Sequence, residues 1–105
     1  MTPNPPIWLP FCELSGYLEG LLTRPLVAIT DQNTRQFHLS IQRCTDTFPL
    51  LRQWAANNDG GVIYDKCFNL YRAALRWDGD PLVESNITQA RNCLVSFDSY
   101  VTGDV

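Results

Sequence analysis

The apolar positions of this chain recur at helical spacing over most of its length. Phe11, Leu14, Leu18 and Leu21 step by three and four residues, which predicts a helix from about Pro10 to Thr23. Gly16 and Gly20 weaken it, since each glycine costs about 1 kcal/mol against alanine inside a helix. Their separation by four residues would also let a second backbone approach closely. Pro25 ends the segment. A stronger pattern covers Gly61 to Asp78. Ile63, Cys67, Leu70, Ala74 and Trp77 form one stripe, and Tyr64, Phe68, Tyr71 and Leu75 form a second beside it. Together they make a face wide enough for two neighbours. Asp65, Asn69, Arg72 and Arg76 take the opposite line, with the acid early and the bases late, as the helix dipole favours. Gly79 reads as the C-cap. Asp80 and Pro81 then read as the N-cap and first residue of a last helix. Its core side carries Val83, Ile87, Ala90, Leu94, Phe97 and Val101, and Gly103 closes it.

The middle of the chain carries two competing templates. Leu26 to Thr30 is rich in β-branched residues, and Phe37, Leu39 and Ile41 alternate with His38, Ser40 and Gln42, so a β-hairpin fits. Phe37, Ile41, Cys44 and Phe48 fit a helix capped by Thr30 or Asp31 instead, and this is the preferred reading. A separate helix follows from about Thr45 to Asn57. Thr45 or Thr47 serves as its N-cap, and Pro49 falls in or near its first turn, where a missing N–H is tolerated. Asn57-Asn58-Asp59-Gly60-Gly61 then breaks the chain. The fold class is therefore mainly α. It is a small bundle of about four helices in a single domain spanning 1–105, with an extended Pro-rich arm over 1–9. The alternative is α+β, with a β-hairpin at about 26–42 packed on helices.

Composition changes this picture in one respect. With 105 residues, of which 45% are apolar and 11% aromatic, the chain can fill one core. Charged residues make up only 18%, and the net charge is −3, which disfavours general binding to phosphate backbones or to anionic membrane surfaces. Tyr71, Arg72, Arg76 and Trp77 mix cations with aromatics, as base stacking requires. The helical stripes turn Tyr71 and Trp77 inward, however, so nucleic-acid binding is not expected. No basic region precedes an apolar run at the start. The most apolar window, Leu9 to Ile29, holds Glu13, Glu19 and Arg24. Neither a signal peptide nor a membrane span is expected, and the chain reads as cytoplasmic.

Candidate chemistry is sparse. Cys12, Cys44, Cys67 and Cys93 form no CxxC pair and read as buried, reduced thiols. An exported form stapled by disulfides is the alternative. His38 is the single histidine and has no second histidine at ligand spacing. Asp78-Gly79-Asp80 lacks the rest of a calcium loop. Cys12 or Cys44 with His38 would need a nucleophile elbow that the sequence does not show. There is no P-loop and no dinucleotide fingerprint. Asn86-Ile87-Thr88 matches a glycosylation triplet, but it falls in the middle of the last helix. Neither metal, cofactor nor catalysis is expected.

The expected function is a small protein-binding or regulatory protein that acts through a protein partner or as a homo-oligomer, most simply a homodimer. Trp8 in the N-terminal arm is one contact residue. The back of the last helix supplies more, because Ser85, Thr88, Gln89, Asn92, Ser96 and Ser99 are uncharged and easier to bury than charges. The candidate partner-binding set is Trp8, Ser85, Gln89, Asn92, Ser96, Arg72 and Arg76. One alternative is a small enzyme or ligand carrier with a pocket near His38 that includes Cys44 and Cys67. Another is an exported, disulfide-stabilised helical protein.

Overall fold

The main apolar stripes read from the sequence become buried helix faces, whereas Phe68 and Leu75 of the second stripe on the third helix are exposed. In the computed structural model, residues 7–23 and 31–102 are described. They form α1 (Leu9–Leu22), α2 (Asp31–Asn58), α3 (Gly61–Gly79) and α4 (Glu84–Thr102), and no strand occurs among the described residues. The fold is a four-helix bundle. The arm residues 1–6 and the strand expected over Leu26 to Thr30 lie outside the described residues.

α1 starts where expected. The carbonyl of Trp8 accepts from the N–H groups of Phe11 and Cys12, at 2.9 and 3.2 Å, with Pro10 in the first turn, where it forfeits no helical bond. Phe11, Leu14, Leu18 and Leu21 are all buried. Gly16 and Gly20 do not admit a second backbone: a methyl group at either would meet nothing within 4 Å.

α2 departs most from expectation. Residues 31–42 are helical, as in the preferred reading and not as in the hairpin alternative, but they run without a break into the helix expected separately at 45–57. Burial follows the helical period, through Phe37, Ser40, Cys44, Phe48 and Leu51, while Leu39 is exposed. The apparent alternation at 37–41 was thus a coincidence of one helical turn. Thr45 and Thr47 are not caps. They stand mid-helix and donate to the carbonyls of Ile41 and Arg43, at 3.0 and 2.7 Å. Pro49 likewise lies inside the helix, where it removes one hydrogen-bond donor. Thirteen-atom helical rings survive on either side because burial of the flanking face outweighs that loss. The 28 residues of α2 span about 42 Å at the helical rise, close to the molecule's longest dimension of 43 Å.

The α2–α3 link is tight. Asp59 adopts a left-handed φ of 55°, and the N–H of Gly60 reaches the carbonyl of Ala55 at 2.9 Å, which is a Schellman-type helix end. The α3–α4 link corrects another expectation. Asp80 is not the N-cap of α4. Val83 N–H bonds to the Asp80 carbonyl at 3.3 Å, so residues 80–83 form a turn with Pro81 inside it, and α4 begins at Glu84. Aspartate followed by proline suits the first two positions of such a turn as well as it suits a helix start. Val83 leaves the core as a result and is exposed, whereas Ala90, Leu94 and Phe97 are buried as expected.

The core joins all four helices. Phe48 gathers an edge-to-face aromatic cluster with Phe11, Tyr64, Phe68 and Tyr71, at centroid distances of 4.9 to 5.9 Å. Trp77 packs on Phe37 at 5.7 Å. α1 packs against the other three helices and α3 against both α2 and α4, whereas the backbones of α2 and α4 do not approach each other. Among the described residues α4 therefore packs on α1 and α3, and no other described element covers its outer side.

Candidate functional site

The outer side of α4 gathers most of the predicted contact residues. Ser85, Gln89 and Asn92 are exposed, and with Glu84, Thr88 and Cys93 they line one shallow groove along the helix. None of the three makes a side-chain hydrogen bond among the described residues. Ser96 continues this line but is half-buried, and its hydroxyl accepts from Lys66 Nζ at 2.8 Å. That lysine–serine pair resembles a dyad, yet both residues lie mid-helix, where backbone N–H groups are committed to the helix. No donors remain there to hold an oxyanion.

Two exposed apolar side chains lie just beyond the groove's lining residues along the chain. Leu82, in the turn before α4, is 75% exposed, and Val95 is 65% exposed, the two highest values among the large apolar side chains of the described residues. Sequence reasoning passed over both. Val95 was findable, because it interrupts an otherwise polar helical arc. Leu82 was not, because it lies in a turn that was read as helix.

The other predicted residues lie elsewhere. Arg72 and Arg76 are exposed on α3, with the Arg72 guanidinium 5.7 Å from the centre of the Phe68 ring. Phe68 in turn stacks on Tyr64 at 6.3 Å. The Arg76 carbonyl accepts from the side-chain amide of Asn86 at 3.2 Å, and the Asp80 carbonyl accepts from the same amide at 3.1 Å. The amide nitrogen of the glycosylation-like triplet is thus engaged in joining α3 to α4. Trp8 is half-buried at the opposite end of α4 from Ser85. It meets Trp54 edge-on at 5.3 Å, in a cleft completed by Asn58, Asp59, Gly60, Tyr100 and Val101.

The thiols and the histidine form no common site. All four cysteines are free. Burial pushes the Cys44 thiol from 9.0 up to about 12, and Cys44 donates to the carbonyl of Pro10 at 3.4 Å. Burial also raises Cys67, with the nearby Cys12 and Cys44 adding to the effect. Cys12 is raised by its burial and by Asp98. Cys93 is raised by burial, against the opposing pull of Arg72 and Lys66. His38 lies on the surface, 2.8 Å from an Asp78 carboxylate oxygen, beside a groove lined by Thr34, Arg35, Leu39 and Gln42. Cys44 and Cys67 are fully buried and do not line it.

Among the described residues no three His, Cys, Asp or Glu side chains gather where they could hold a metal ion. Nor is any helix there long and apolar enough to cross a membrane. No family model, curated protein or solved structure matches the chain.

Proposed function

We propose that this is a protein-binding protein whose contact surface is the outer side of α4. The observation that carries the reading is that the two most exposed large apolar side chains among the described residues, Leu82 and Val95, stand on either side in sequence of the groove residues Ser85, Thr88, Gln89 and Asn92. A partner covering this face would bury both apolar side chains, and the uncharged polar groups between them desolvate at less cost than charges would. Association through such a face has no need of catalytic groups, and its effect on a partner would be regulatory. The four free thiols fit a reducing compartment such as the cytoplasm.

The test is a paired capture experiment. Tagged protein and a Val95→Asp variant are each exposed to the native extract, and bound proteins are quantified by mass spectrometry. A protein held in near-equal amount by the native chain and lost from the variant, with helicity unchanged by circular dichroism, supports the reading. Identical recoveries from both forms reject α4 as the surface. Position 95 is exposed, so the added charge leaves the core intact.

A further inference from the structure

We infer that the occupant of this face is a second copy of the same chain, lying antiparallel across α4 about a twofold axis near Thr88. The inference deepens the α4 reading above and rests on it.

Glu84, Thr88, Arg91 and Val95 lie at spacings of four, three and four residues, so they share one stripe of α4. Glu84 and Arg91 are the charged members of that stripe, they are exposed, and neither has an ion-pair partner among the described residues. The order of residues is complementary to its own reverse. Glu84 precedes Thr88 by about as many residues as Arg91 follows it, and Leu82 and Val95 stand at matching sequence separations beyond them, Leu82 in the turn that leads into α4. When two copies of α4 cross antiparallel at Thr88, Glu84 faces the partner's Arg91 and Arg91 faces the partner's Glu84. Val95 then reaches the partner's Leu82, and apolar side chains cover both ends of the contact. A parallel pairing would instead set acid on acid and base on base. Twofold symmetry repeats each favourable contact, which is how closed homodimers gain self-complementarity.

The centre of the stripe suits close approach. Thr88 is small, and the flanking Ser85 and Asn92 can exchange hydrogen bonds with their counterparts without desolvating a charge. Each copy carries a net charge of −3, so two copies repel each other unless they meet where charges balance. The α4 stripe, with one acid and one base, is such a place.

The experiment is sedimentation equilibrium on the full chain from about 1 μM to about 1 mM. The native chain should populate a dimer within that range. Glu84→Arg alone and Arg91→Glu alone should each raise the dissociation constant about tenfold or more, because each sets like charges together twice. The double variant Glu84→Arg with Arg91→Glu should recover the native constant to within about threefold, the mark of a direct pairing. Circular dichroism establishes that every variant is folded. A native chain that stays monomeric throughout overturns the proposal, as do single variants that dimerise normally or a double variant that stays weak. Should the native chain stay monomeric while Val95→Asp still abolishes capture of a different protein, the twofold pairing falls and the α4 surface stands.

Discussion

Gly60→Ala offers a stringent test of the packing at the Trp8 end of the bundle. Gly60 is buried at the N-cap of α3, and its φ of −97° is open to any L-residue, so backbone strain does not enter. The obstacle is Trp54. A methyl group at Gly60 would drive into the Trp54 ring, colliding with Cζ3 and crowding Cε3 and Cη2 at 3.0 and 3.1 Å. Trp54 must therefore leave the position in which it meets Trp8 at 5.3 Å. Loss of an aromatic edge contact costs about 0.5–1.5 kcal/mol, and forced repacking costs about 1–3 kcal/mol. The combined expectation is a destabilisation of about 2–4 kcal/mol, which lowers the melting temperature of a domain this size by about 10–20 °C. Gly16→Ala is the internal control. It is equally a glycine-to-alanine change, yet its methyl would meet nothing within 4 Å, so it should stabilise α1 by about 0.5–1 kcal/mol. Thermal and denaturant unfolding followed by tryptophan fluorescence reads both, and the native-state emission should shift only in the Gly60 variant. If both substitutions moved stability in the same direction, or if Gly60→Ala cost under about 0.5 kcal/mol, the Trp54–Gly60 packing would be wrong.

Three further outcomes are expected. Pro49→Ala restores a helical donor inside α2 and should raise stability by about 1–2 kcal/mol once the greater freedom of the unfolded chain is subtracted, as urea unfolding would register. Ser40→Ala should be neutral or stabilising by up to about 1 kcal/mol, because the Ser40 hydroxyl is fully buried without a partner among the described residues; a loss above that in the same assay contradicts its isolation. Cys44 keeps its proton in the folded state up to about pH 12 but loses it near 9.0 when unfolded, so the unfolded chain binds fewer protons above pH 9. Its stabilising contribution is complete below pH 9 and is lost as pH rises from there towards 12. Denaturation midpoints measured at pH 8 and pH 10 should therefore differ more in the native chain than in Cys44→Ala.

The helices that proved legible are those whose apolar stripe is unambiguous. α1 and α3 carry four and five apolar residues at three-four spacing, and both have the extents that spacing implies. α2 was split in the reading because it contains two residue types that usually sit at helix starts. Threonine and proline favour N-terminal positions when a helix is short of partners. Here Phe37, Cys44, Phe48 and Leu51 bury one continuous face, and that burial carries the helix through Pro49. Local propensity lost to tertiary packing, as it generally does when the two conflict. The start of α4 failed for a different reason. Asp80-Pro81 is compatible with a cap and with a turn, and only the hydrogen bond from Val83 to Asp80 decides between them.

Where α4 starts decides how much of the candidate site is legible in the sequence. With the helix begun at Pro81, Val83 joins the core stripe and Leu82 appears as one side chain of a first turn. With the helix begun at Glu84, both residues move to the surface, and Leu82 becomes the most exposed large apolar side chain among the described residues. The uncharged face of Ser85, Gln89 and Asn92 was readable from spacing alone, since it depends only on the period of α4 and not on where α4 starts. Its bounds were not readable, because they are set by a turn. A polar arc by itself describes any solvated helix. It acquires the character of a contact surface when apolar side chains stand at both ends and an acid and a base, neither ion-paired among the described residues, stand between them. Leu82, Glu84, Arg91 and Val95 supply those features in an order that a second copy can match only when it runs in the opposite direction.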